Sequence, residues 1–187
     1  MRSFLLVLTV LFSISASAAV DYFESSTVFE SSSNLRDKRK VGLGVAAGGE
    51  LGVAGLMLEL NFEDINAAHV GFGTGPGYNT VALSWKHSFN SDYVGPYVRG
   101  GYSRWYNSSG TTDRYRQSNV LDMVLTDREK DERRFAADFV TGALGAQYYQ
   151  LSGELAGASF FAEVSLMVEP FKRKLVPNGS VGALYFF

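Results

Sequence analysis

The sequence predicts an all-β fold, an eight-stranded antiparallel transmembrane β-barrel. Three observations lead there. Eight segments between Val41 and Phe187 alternate apolar with polar or small residues at a period of two, which is a strand signature and not a helix stripe. The composition combines 14% aromatic residues and 20 Gly with only 4 Pro, a mix suited to tightly packed sheets and to neither disorder nor helical bundles. The N-terminus carries an export signal. Arg2 supplies a short positive region, Phe4 to Ile14 an apolar run, and Ala16-Ser17-Ala18 the small residues that a signal peptidase reads. The apolar run is about half the length of a spanning helix. Cleavage is expected after Ala18, with Ala19 as the alternative.

The elements follow in order. Residues 1–18 are the expected signal peptide, and residues 19–40 a polar, Ser-rich N-terminal leader ending in Arg36-Asp37-Lys38-Arg39-Lys40. This leader reads as a flexible, solvated segment whose basic run could meet phosphate headgroups. The barrel domain spans 41–187. Val41, Leu43, Val45 and Ala47 alternate with small residues. Leu56, Leu58, Leu60 and Phe62 then alternate with Met57, Glu59 and Asn61, and Ala68, Val70 and Phe72 with His69 and glycines. In the fourth strand Val81, Leu83, Trp85 and Phe89 oppose Thr80, Ala82, Ser84, Lys86 and Ser88. The fifth runs from Tyr93 to Tyr106, and Pro96, which cannot donate to a ladder, predicts a bulge there. The sixth covers Phe135 to Tyr149. In the seventh, Phe160, Ala162, Val164, Leu166 and Val168 oppose Phe161, Glu163, Ser165, Met167 and Glu169; Val181 to Phe187 closes the set. Val41 to Leu60 could be misread as a membrane helix, but Glu50 near its centre, its glycines and its two alternating runs speak against that.

Strands of about ten residues match a tilted membrane crossing. One face of most strands is apolar, while the other carries Glu59, Asn61, Thr80, Ser84, Lys86, Arg99, Glu163 and Ser165. A soluble ligand-binding barrel would invert that arrangement. Strand counting puts Gly48–Glu50, Thr74–Gly77, Asn107–Arg134 and Pro170–Asn178 on one side, expected to be outside the cell. It puts Glu63-Asp64, Asn90–Asp92 and Gln150–Gly157 on the other. The two longest connections then lie outside, as this architecture favours.

The signal sequence, the even strand set and the terminal Val181-Gly182-Ala183-Leu184-Tyr185-Phe186-Phe187 resemble OmpA/OmpX-type outer-membrane barrels. The resemblance implies insertion in the outer membrane of a Gram-negative bacterium. It also implies that Val181, Ala183, Tyr185 and Phe187 form the signal read by the barrel-assembly machinery. It covers about 150 residues and is one of architecture, only the last strand being motif-like.

Composition narrows the chemistry. The chain has 187 residues, enough for one domain, and 17 Lys+Arg against 19 Asp+Glu, so no global field points to nucleic acid. It has no Cys, which excludes disulfides, Cys-ligated metals, thiol catalysis and a lipoprotein anchor. No cofactor is implied, and no metal-ligand spacing is present, since Arg128, Lys130, Arg133 and Arg134 interleave with Asp127, Glu129, Asp131 and Glu132. Glu59, Lys86, Arg99 and Glu163 fall at similar heights on the inward face. Buried charges must pair, so they are expected to form an interior ion-pair network plugging a narrow lumen.

Lipid A-modifying enzymes exist on such barrels, but this chain has two His. His87 and Ser88 are adjacent, hence on opposite faces, and His69 shows no evident Ser/acid partners. Gly71 to Gly77 leads into a strand and not a helix, so it is a hairpin, not a phosphate loop. The segment Asn119–Arg134 is expected to form a short charged helix above the barrel. Lys172, Arg173 and Lys174 would contact lipopolysaccharide phosphates. Tyr102, Trp105 and Tyr106 at one rim, and Trp85, Tyr93 and Phe187 at the other, are expected to form aromatic girdles. The function expected is a non-enzymatic barrel that stabilises the envelope and presents loops to lipopolysaccharide or another surface partner. A small-solute channel is the alternative, and a lipid A enzyme a weaker one.

Overall fold

A computed structural model describes residues 28–108, 118–132 and 135–187. The expected signal peptide and the first part of the leader lie outside these residues. Eight antiparallel strands close into one barrel, each paired with its sequence neighbours and β8 with β1. They are β1 Val41–Gly48, β2 Ala54–Asn61, β3 Asn66–Gly75, β4 Tyr78–Ser88, β5 Val94–Asn107, β6 Ala136–Tyr149, β7 Ala158–Glu169 and β8 Lys174–Phe186. The end where β1 begins and β8 finishes is called basal here, and the opposite end distal.

Period two becomes inside and outside. Along β7, Ser159, Phe161, Glu163, Ser165, Met167 and Glu169 are buried while Phe160, Val164 and Leu166 are exposed on the outer wall. Register partners followed once around the barrel run through Leu43, Leu58, Val70, Leu83, Tyr102, Val140, Val168 and Leu175, an unbroken apolar ring. Continued to β1, the path arrives about ten residues beyond its start. With strands about 4.8 Å apart, that stagger sets a tilt of about 40° and a radius of about 8 Å, which inward side chains fill.

Four expectations change. Pro96 makes no bulge: the register runs unbroken from Val94↔Tyr148 to Tyr106↔Ala136. Its carbonyl accepts from Phe89 N at 2.9 Å, just past the end of β4, so the missing donor falls where the β4 ladder has stopped. The last strand starts at Lys174, so the final distal connection is Pro170–Arg173 and much shorter than expected. Beyond the last pair, Gly48↔Ser180, β8 has no β1 partner, and Pro177 within that stretch lacks a donor, a common way of blunting an open edge. Third, the leader is not merely a solvated tail. Ser32–Lys38 forms helix α1, capped by Ser31 Oγ, which accepts from Asn34 N at 3.2 Å. α1 buries Leu35 and Arg36 against the basal end, beside Phe29, Tyr149, Leu151, Ala156 and Phe186. Arg39 Nη1 donates to Ala156 O (2.7 Å) and Phe186 O (2.8 Å), so this part of the basic run is spent on the barrel itself.

The fourth change is at the distal end. Helices α2 (Asn119–Val124) and α3 (Asp127–Glu132) replace the single charged helix expected. α2 is mainly an apolar cap: Leu121 and Val124 are fully buried against Tyr78, Trp105, Phe139, Met167 and Val176 in the mouth.

Candidate functional site

The lumen holds the chain's concentration of buried charge, and the strand period delivers it. Glu59 on β2, His69 on β3, Lys86 on β4, Tyr97 and Arg99 on β5, Gln147 on β6 and Glu163 on β7 all occupy inward positions. Register alone puts Glu59 opposite His69 and Lys86 opposite Arg99.

Two tiers result. In the basal tier, Lys86 Nζ donates to both oxygens of Glu59 at 2.9 Å and to Gln147 Oε1, and lies 4.8 Å over the Tyr97 ring. In the upper tier, Arg99 binds Glu50 Oε1 through Nη1 at 2.5 Å and Glu163 Oε1 through Nη2. Glu163 also accepts from Tyr97 OH (2.8 Å) and Ser180 Oγ (2.7 Å), and Glu50 from Thr141 Oγ1 (3.1 Å). His69 joins the tiers: its ring lies 3.1 Å from Glu59 Oε2 on the Nε2 side and 3.1 Å from Arg99 Nη1 on the Nδ1 side. Arginine can only donate, so Nδ1 accepts and Nε2 carries the hydrogen, the neutral tautomer. These charge-assisted bonds are of the strong kind. These side chains pack against one another and leave no cavity between them large enough for a water molecule.

The four charges named from the sequence are thus brought together, Lys86 with Glu59 and Arg99 with Glu163. Glu50, His69, Tyr97 and Gln147 were missed. Glu50 sat in an expected outer loop, but the connection bends inward as a 3₁₀ turn, Gly49–Leu51, and buries the carboxylate. Glycines allow it: a Cβ at Gly73 would stand 1.9 Å from Leu51 O. The signal available was Gly48-Gly49 and Gly52 flanking a lone acid; all three take positive φ. His69 was legible in parity, being on the same face as Glu59, yet its partners lie on other strands. Register also puts Ser84 opposite His69, but Arg99 Nη1 occupies the imidazole nitrogen a nucleophilic serine would need.

The girdle assignment holds a parity error. Tyr102 and Tyr106 face outward, as do Trp85, Tyr93 and Phe187. Trp105, one residue out of phase, is 1% exposed. It stacks on Tyr78 at 4.8 Å and donates to Glu50 O at 3.1 Å, forming part of the mouth beneath the cap. Val181, Tyr185 and Phe187 are exposed on the outer wall, and Ala183 shares that face. Lys172 is engaged: its Nζ donates to Glu129 Oε2 at 2.5 Å and to Val124 O at 3.3 Å, latching the cap. Arg173 and Lys174 are exposed at the distal rim. Among the described residues, no group of His, Asp and Glu has the arrangement of a metal site.

No protein-family model and no curated protein sequence matches this chain. Among solved structures, it is similar to the crystal structure of the N-terminal β-barrel domain of Pseudomonas aeruginosa OprF. The TM-score is 0.52 at 15% identity, over 79% of this chain and 96% of that one. At that identity the likeness concerns the fold: this chain is an eight-stranded antiparallel barrel of the type seen in the OprF domain.

Proposed function

We propose that this protein is an integral barrel of the outer membrane of a Gram-negative bacterium, without enzymatic activity, that stabilises the envelope and displays its distal cap and turns at the cell surface. The observation that carries the reading is the closed apolar ring on the outer wall around a lumen filled with ion-paired side chains. Water would favour the reverse arrangement, whereas lipid requires this one, with every strand edge paired or blunted. The distal end then faces outward and the basal end, with α1, the periplasm. The outward Val181, Ala183, Tyr185 and Phe187 suit recognition by the assembly machinery, because that face remains available on a strand edge before closure.

A solute channel requires a continuous path. Here α1 fills the base, the Glu59–Lys86 and Arg99–Glu163 tiers the middle, and α2 the mouth. A lipid A enzyme requires a histidine able to take a proton near the lipid surface, and His69 is enclosed with both nitrogens engaged. Electrophoresis with and without boiling tests the membrane reading, with faster migration of the unboiled protein expected. Planar-bilayer recording should give no steady current, and mass spectrometry of lipid A after expression should show no new species. A mature chain that stays folded and monomeric in water without detergent would overturn the proposal.

A further inference from the structure

The outer wall is not symmetric in charge, and the asymmetry falls at the upper edge of the apolar ring. One rung above Tyr102 and Val140, at the ring's distal side, stand Arg104 and Asp138, paired in register and both facing outward. Asp138 is pinned from below by the Tyr102 hydroxyl and lies 3.6 Å from Arg104 Nε, which leaves about half the Arg104 side chain uncovered (53%). On the next two strands the same rung passes above Val168 and Leu175 into the turn Pro170–Arg173. There Phe171 is 83% exposed and Arg173 is exposed, held at φ 53°. Neighbouring strands are about 4.8 Å apart, so Arg104 and Arg173 are separated by about 14 Å along the wall. Across the barrel, the distal ends of β1 to β4 and their turns present no exposed charge, since Glu50 is folded inside.

From this we propose that Arg104 and Arg173, with Phe171 between them, form a binding site for a phosphorylated glycolipid of the surrounding outer leaflet, each guanidinium taking one phosphate. The inference rests on the membrane reading above and gives that membrane a preferred side. Two arginines at headgroup height with an uncovered aromatic ring among them match a ligand that carries phosphates over acyl chains. Lys172 is no part of the site, because Glu129 already neutralises it. Lys174 lies on the inward-facing side of β8 and is a bystander.

The test uses the refolded full-length mature chain in neutral detergent micelles with a chelator present, bound lipid being read by native mass spectrometry. The probes are bis-phosphorylated lipid A and the same lipid stripped of phosphate, with inorganic phosphate as competitor. R104Q/R173Q should weaken retention of the bis-phosphorylated lipid about tenfold or more. The basal control K38Q/K40Q should not, and the dephosphorylated lipid should bind wild type as poorly as the intact lipid binds the double variant. Should the double variant not refold, R173Q alone, on an exposed turn, serves the same comparison. Equal retention by wild type and variant overturns the inference, as does complete displacement by millimolar inorganic phosphate, which would mark an adventitious anion site. In both cases heat-modifiable migration still reports an inserted barrel, so the membrane reading stands. A wild-type chain that never enters micelles brings down both.

Discussion

Replacing Arg99 by Met removes the one cation that two buried carboxylates share. Glu50 and Glu163 are 4% and 6% exposed, and Arg99 binds both. Breaking a buried pair from one side costs about 3–5 kcal/mol, because a charge is left without compensation. The two acids do not suffer equally. Glu163 keeps the Tyr97 and Ser180 hydroxyls, whereas Glu50 keeps only Thr141 on its carboxylate. Most of the loss therefore falls on Glu50. At a urea dependence of about 1–3 kcal/mol per molar, the unfolding midpoint of R99M should drop by roughly 2 M. Adding E50Q should recover more than half of that loss, and adding E163Q distinctly less. Equilibrium unfolding in lipid vesicles, followed by tryptophan fluorescence, measures all four proteins. The electrostatic argument fails if R99M unfolds at the wild-type midpoint, or if E50Q and E163Q rescue it equally.

Three further outcomes are expected. Partial burial pushes the Glu129 carboxyl up, but hydrogen bonds from Lys172 and Thr126 more than offset it and hold the group below the usual carboxylate range. Its contribution, about 1 kcal/mol or less for so accessible a pair, is thus complete above the unfolded-state value and is lost as pH falls through the folded one. Proteolysis of the cap should accelerate below about pH 4 in wild type, and E129Q should show the fast rate already at neutral pH; a pH-independent rate would refute the latch. L35A should leave a cavity under α1 worth about 2–5 kcal/mol and make Lys38 and Arg39 sensitive to trypsin while the barrel stays heat-modifiable; unchanged protection would count against docking of the helix. G73A should expel the 3₁₀ turn, since its Cβ would overlap Leu51 O, whereas G142A has nothing within 4 Å and should be silent; equal refolding yields would refute the close approach.

How far the sequence speaks follows from the range over which each rule acts. Alternation is local, so strand faces such as those of Glu59, Lys86, Arg99 and Glu163 were legible, and so was their convergence in a narrow lumen. Trp105 shows the same rule misapplied, because rim height was allowed to outweigh parity. Glu50 and Arg36 were illegible for another reason. Both belong to segments without periodicity, and only the closed barrel decides whether such segments point into solvent or into the lumen. β8 lay between these cases: Pro177 and Asn178-Gly179 carry turn chemistry, yet pairing with β7 as far as Glu169↔Lys174 overrides it.

The missed residues explain how the barrel is balanced. β1 and β2 have 8 residues each while β5 and β6 have 14, so the wall is lowest at the first hairpin. An outward turn there would leave the lumen open sideways, and the inward 3₁₀ turn closes it while its Glu50 carbonyl receives Ser103 and Trp105 from β5. That solution brings a fourth buried carboxylate, beside Glu59, Glu163 and Glu169, into a barrel whose strands supply only Lys86 and Arg99 as buried cations among the described residues, His69 being neutral. The third buried cation among the described residues is Arg36, carried in at the basal end by α1 and lying over the Tyr149 ring at 5.7 Å. Low-dielectric surroundings penalise any net charge left inside, so a lumen sealed at the first hairpin favours docking of the N-terminal helix.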